Sequence, residues 1–315
     1  NLPWTTQISA NQPPTASAGG PYSGNEGSDI AMSGATASDP DMSDTLTYSW
    51  TVSDSLLCGF DDATVLNPNL TCTDNGNFTA TLSVDDGVNP AVTSDAAVTV
   101  NNVAPTITSL VAGAAMACGQ SNGVTINFDD PALANDTYTA NVDWGDGNSE
   151  TFSPVSSGFS ASHAYALAGQ YTISVTVSDE DGGTSAVSTA TLTLNFTIVG
   201  GGVQPPINPD GTSVFKYKST IPVKLRLTDC DGSTPGTLTV KIMLTKLSGA
   251  TPALDINEPI STSAADMTGF MRFSENQYIY NLATKPLPDP SATYKITLTI
   301  MQTGQTVTVN FGLKP

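Results

Sequence analysis

The sequence predicts an all-β fold, with three tandem immunoglobulin-like β-sandwiches arranged as a rod. Three observations carry this expectation. Runs of Thr, Val, Ile and Tyr about four to eight residues long recur along the chain, bounded by Gly, Asn, Asp and Pro; this is the pattern of short strands closed by turns. No helix-periodic stretch of about ten residues interrupts the series. Residues 11–195 also repeat with a period of about 92 residues. Asn11-Gln-Pro-Pro-Thr-Ala returns as Asn102-Val-Ala-Pro-Thr-Ile, and Asp39-Pro-Asp as Asp130-Pro-Ala. Phe78-Thr-Ala-Thr-Leu-Ser-Val-Asp-Asp-Gly returns as Tyr171-Thr-Ile-Ser-Val-Thr-Val-Ser-Asp.

The elements follow in order. Residues 1–10 form an extended leader in which Leu2, Trp4 and Ile8 fall on one face of a strand, with Pro3 on the other. Such an apolar strip suits addition to an open sheet edge of the next copy of the chain, or return to its own first domain as an edge strand. Residues 11–102 and 103–195 are the two repeats, each long enough for about seven short strands. Predicted strands include Thr45–Val52, Phe78–Val84 and Tyr171–Val177, and Trp50 and Trp144 are expected between the sheets. Gly200-Gly-Gly-Val-Gln-Pro-Pro206 reads as a joint, and residues 196–315 form a third domain with strands at Val223–Thr228 and Tyr294–Ile300.

Charge is distributed unevenly. Residues 1–195 hold 21 acids and no Lys or Arg, whereas residues 196–315 carry a formal charge of +2. A polyanion repels an arm of charge −21, which argues against nucleic acid as a partner. No apolar run approaches the length of a membrane span. With one histidine, His163, four cysteines and no Cys-x-x-Cys pair, metal or nucleophile catalysis has little to work with. The chain opens at Asn1 without Met or a secretory apolar region and is expected to be a mature form or a fragment. Few Lys and paired-looking Cys point to the extracellular space or the cell surface.

Asp143-Trp-Gly-Asp-Gly147, His163-Ala-Tyr165 and Gly169-Gln-Tyr-Thr-Ile-Ser-Val-Thr-Val-Ser-Asp179 resemble a polycystic-kidney-disease (PKD) domain. The first repeat is similar through Tyr48-Ser-Trp50, Val84-Asp-Asp-Gly and Glu26-Gly27, but lacks Gly-Asp-Gly. The resemblance implies extracellular spacer or adhesion modules and makes His163 a core or turn histidine. Phe215-Lys-Tyr-Lys-Ser-Thr-Ile-Pro222-Val-Lys224-Leu-Arg-Leu, with Tyr278-Ile-Tyr280-Asn and Thr306-Val-Thr-Val-Asn-Phe311, resembles the Pro-x-Lys-Phe (PxKF) module at the ends of secreted prokaryotic proteins, with Leu225 in place of the signature Phe.

Strand parity in a sandwich gathers the start of the first strand and two later loops at one pole. In the first repeat these places hold Asn11, Asp39, Asp41 and Asp85 with its neighbour Asp86; in the second they hold Asn102, Asp130 and Asp179. Carboxylates and amides are hard oxygen ligands suited to Ca2+, and the PKD resemblance implies calcium at these positions. Ala132 replaces the second loop carboxylate of the second repeat, where Asp129, Asp136 or Glu180 could substitute. Glu26, in the opposite turn of the first repeat, faces that second site. The competing reading is a set of solvated turns whose Asp side chains cap backbone amides. Cys58 and Cys72 are expected to form a local disulfide, and Cys118 and Cys230 a bond between the second and third domains, with an intersubunit bond or free thiols as rivals. Glycosylation sequons occur at Asn69, Asn77, Asn135 and Asn195.

The functional expectation is a non-enzymatic structural subunit of an extracellular filament, sheath or surface layer. It would assemble head to tail with copies of itself by strand addition and be stiffened by calcium. The alternative is a spacer or adhesion module of a larger secreted enzyme or adhesin, with cell-surface glycans as further partners.

Overall fold

Side-chain alternation decides the long strands. In Gly76–Asp85 the buried residues are Phe78, Ala80, Leu82 and Val84, every second position, as a sheet covered on one face requires. This strand lies antiparallel between Val92–Asn101 and Thr47–Val52, where Trp50 stands opposite Leu82. Tyr22–Asn25 completes the sheet by pairing parallel to Val92–Asn101. A second sheet of Ile30–Ala31, Asn69–Cys72 and Cys58–Phe60 supplies Ile30, Leu70, Cys58 and Cys72 to the same core.

A computed structural model describes residues 10–118, 122–248, 254–267 and 269–315. Leu2, Trp4 and Ile8, on which the strand-addition expectation rests, lie outside the described residues. Within these bounds the chain is all-β, and the predicted fold class is borne out: three separate apolar cores follow one another along the sequence. The five predicted strands appear as Thr47–Val52, Gly76–Asp85, Gly169–Ser178, Thr220–Thr228 and Thr293–Ile300, with shifts of a few residues at their ends.

The second core lies between a sheet of Thr106–Ala112, Asn122–Asp129 and Phe159–His163 and another of Met116–Ala117, Ser188–Asn195, Gly169–Ser178, Tyr138–Asp143 and Ser149–Val155. The third lies between Thr197–Gln204, Thr220–Thr228, Gln277–Ala283 and Arg272–Ser274 on one side and Val214–Lys216, Thr306–Lys314, Thr293–Ile300, Val240–Lys246 and Leu254–Ile256 on the other. Tyr278, Tyr280, Tyr294 and Phe311 fill it.

Specific contacts join consecutive domains. At the first joint, Val103 N donates to Glu26 Oε1 over 2.8 Å, and Asn135 Nδ2 donates to Thr73 O over 3.0 Å. At the second, Cys118 is bonded to Cys230, Ala168 N donates to Asp229 Oδ1, and Ala168 packs against the third core.

Candidate metal centre

The outer pole of the first domain is built by the segment 39–44. Asp41 N donates to Asp39 Oδ1 over 2.7 Å, a local turn that aligns the two carboxyl groups, and Gln12 N donates to Asp41 Oδ2 over 2.7 Å. Asp44 joins them, and one oxygen from each of Asp39, Asp41 and Asp44 lies within 4.8 Å of the others. Asp39 Oδ2 and Asp44 Oδ2 are shielded from solvent and have no hydrogen-bond partner. Asn11 and Asp86 stand beside this segment as a separate pair, Asn11 Nδ2 donating to Asp86 Oδ2 over 2.9 Å. Hydrogen bonds from Asn89, Val88 and Asn11 hold the Asp86 carboxyl down at about 2. Asp85 does not face this pair; its carboxylate accepts from Gly87 N over 2.7 Å.

The second repeat builds the same pole under a roof supplied by the first domain. Ala132 N donates to Asp130 Oδ1 over 2.9 Å, repeating the Asp39 turn, and Asn102 Nδ2 donates to Asp179 Oδ2 over 3.0 Å, repeating the Asn11–Asp86 pair. Asp136 supplies the third carboxylate, one position beyond Asn135, whose N donates to Ala132 O as Asp44 N donates to Asp41 O. Glu26 enters from the first domain, only 1% exposed, so that Glu26, Asp130 and Asp136 present oxygens within 4.8 Å of one another. Glu26 Oε2, Asp130 Oδ2, Asn102 Oδ1 and both Asp136 oxygens are shielded from water and lack partners. Of Asp129, Asp136 and Glu180, the three substitutes for the missing loop carboxylate, the cluster contains Asp136; Glu180 Oε2 instead accepts from Thr137 N.

Orphaned buried carboxylate oxygens cost free energy unless a proton or a cation joins them. The acid–base balance shows this strain. Burial, reinforced by the negative charges of Glu180, Asp130, Glu26 and Asp74, pushes the Asp136 carboxyl up to about 7. Burial also raises Glu26 and Asp130. The donor set is all hard oxygen, which fits a calcium-like divalent cation. Glu26, Asp130 and Asp136 would hold it at the joint, and Asp39, Asp41 and Asp44 at the outer pole. Bound there, the ion would supply the positive charge that the neighbouring side chains do not.

The family model described as PKD domain matches residues 11–100 and 102–194. The chain belongs to the PKD-domain family. PKD domains are typical of extracellular or surface proteins and are typically non-catalytic modules, often found in adhesins or enzymes. No curated protein matches the chain. Among solved structures, it is similar to the PKD domain of an M14-like peptidase from Thermoplasmatales archaeon SCGC AB-540-F20. That likeness has 26% identity and a TM-score of 0.27, and covers 30% of this chain and 98% of that one. It is also similar to protocadherin gamma B2 extracellular cadherin domains 3–6, at 11% identity and TM-score 0.28, over 96% of this chain and 73% of that one. A putative membrane anchored protein from Corynebacterium diphtheriae is similar at 10% identity and TM-score 0.28, over 95% and 91%.

In the first PKD domain Cys58 and Cys72 are bonded across neighbouring strands, in direct register. In the second, the His163 side chain is 13% exposed. It stacks on Trp144 at 5.1 Å, and its Nε2 and Nδ1 meet Asp146 and Glu150 at 2.9 and 3.3 Å. The sequons differ in setting: Asn69 Nδ2 donates to Asp61, and Asn135 Nδ2 is engaged at the PKD–PKD joint. Asn77 Oδ1 accepts from Thr99, and Asn195 ends the last strand of the second PKD domain.

Proposed function

We propose that this chain is a non-catalytic structural subunit of an extracellular filament, sheath or surface layer. In this reading it is a stiff rod of three sandwiches that holds calcium at the outer pole and at the first joint. The observation that supports it most is that both joints carry specific contacts. Glu26 and Asn135 tie the PKD domains together, and Cys118–Cys230 ties the second to the third. A flexible spacer needs only a solvated linker. Head-to-tail association with copies of itself, the leader residues Leu2, Trp4 and Ile8 serving as an added strand, belongs to the same reading. The contrast between the −21 arm and the +2 end supports it.

Electron microscopy of native material, with and without chelator, tests this. Regular polymers that lose stiffness on chelation are expected. Dispersed rods attached to a catalytic domain would overturn the reading in favour of a spacer in a secreted enzyme. Rods unchanged by chelation would remove calcium from it.

A further inference from the structure

The acidic residues at the first joint form more than one cluster. Glu26, Asp130 and Asp136 make the first. Asp74 from the first domain, Asp136, and Asp181 from the second make another, again with one oxygen from each within 4.8 Å of the others. A calcium ion surrounded by oxygens at about 2.3–2.6 Å places opposed ligands about 5 Å apart, so each cluster has the span of one coordination shell. Asp136 belongs to both. Its two oxygens are both shielded from solvent and both without a partner. Glu26 and Asp130, 1% and 7% exposed, each aim one further orphaned oxygen into the joint.

The joint also carries a large excess of negative charge. Asp179 and Glu180 add to these five acids, making seven carboxylates at one joint, and no Lys or Arg precedes Lys216 in the sequence. Among the described residues no ion pair reaches any of the seven. With the Asn75 amide placed in the orientation that satisfies both its O and its N, its nitrogen donates to Asp74 Oδ1 over 2.9 Å and Asp181 Oδ2 over 3.1 Å. It holds carboxylates of two domains side by side and neutralises neither. A single divalent ion would leave most of this charge uncompensated in a partly desolvated place.

We propose that the first joint is a two-cation centre in which Asp136 bridges two calcium-class ions. One ion is held with Glu26 and Asp130, the other with Asp74 and Asp181. The inference rests on the reading that the poles take cations, and extends it from one ion to two at this joint. Each ion then has ligands from both domains, so filling the centre and fixing the interdomain angle are one equilibrium.

Calcium titration of the full chain, with ions counted by native mass spectrometry and isothermal calorimetry, tests this. Three ions per chain are expected, one at the outer pole and two at the joint. Asp74→Asn and Asp181→Asn should each lower the count to two, while Asp39→Asn with Asp44→Asn should remove a different ion. A wild-type count of two overturns the inference and leaves one ion per pole standing. A count below two overturns the pole reading as well. A count of three that Asp74→Asn and Asp181→Asn leave unchanged places the third ion elsewhere and also overturns the inference. Thermal unfolding without calcium shows whether each variant folds, so a lost ion is not confused with a lost fold.

Discussion

Gly27 of the first domain lies so close to Pro131 of the second that a Cβ on Gly27 would stand 2.5 Å from the Pro131 Cβ. The glycine has φ of +68°, a conformation other residues adopt at a cost, and its N donates to Cys72 O over 2.7 Å. Turn geometry and domain contact thus make the same demand on one residue. Gly27→Ala should destabilise the first joint by about 1–2 kcal/mol from the backbone alone. The clash with Pro131 should also push the two domains apart. Small-angle scattering of the variant should show a changed or broadened interdomain angle, while the third domain melts as before.

Stability should fall with rising pH when calcium is absent and not when the sites are filled. Asp136 titrates near 7 in the folded chain, and Glu26 and Asp130 are also raised, above ordinary unfolded carboxyl values of about 4. Raised folded values mean that the folded state holds these protons more tightly than the unfolded state. The Asp136 contribution is therefore fully present below about pH 4 and is lost as pH rises through about 7, and Glu26 and Asp130 act in the same direction. Calcium-free protein should show a falling melting temperature of the second domain between pH 5 and 8. Saturating calcium should cancel the fall, because the ion then replaces the protons. Calorimetry at the two pH values, with and without calcium, measures both.

The two disulfides should act on different properties. Cys58→Ser with Cys72→Ser opens a loop of 14 residues and should cost the first domain about 3 kcal/mol in the chain-entropy picture, read as a lower denaturant midpoint. Cys118→Ser with Cys230→Ser should leave the individual cores folded but loosen the second joint. Small-angle scattering should then show a broadened angle between the second and third domains.

His163→Ala should destabilise the second domain by about 1–3 kcal/mol, since it removes an aromatic contact with Trp144 and leaves Asp146 and Glu150 without their shared partner. The near-ultraviolet circular dichroism of Trp144 should weaken with it. No change in any hydrolytic activity is expected.

Much of the fold is legible in the sequence, because every second residue of strands such as Gly76–Asp85 is apolar and the two PKD domains repeat one pattern. Strand parity also brings Glu26 to the face of the following domain. The individual ligands are harder to read. Asp85 and Asp86 are adjacent, and a one-residue step at the end of a strand reverses the side a carboxylate faces; the pairing with Asn11 goes to Asp86. Asp44 carries no mark in the repeat: counted from Asp39 its counterpart in the second repeat is Asn135, and Asp136 lies one position further on. Asp74 carries none either. It meets Asp136 and Asp181 only because the loop after Cys72 lies against the Glu26 turn, through Gly27 N and Cys72 O.

The bond between Cys118 and Cys230 determines how the molecule carries load. Tension applied along the chain passes from residue 118 directly to residue 230, so the intervening segment, part of a loop with a sequence separation of 112, bears none of it. Most strands of the second domain and the opening strands of the third lie inside that bypass. Pulled from its ends, the oxidised molecule would therefore extend chiefly through its first domain and the later strands of its third. Reduction would expose these strands to the load, and their unfolding would add up to about 112 residues, roughly 380 Å of extended chain. A thiol-rich environment would thus turn a tether of limited reach into a longer, more yielding one.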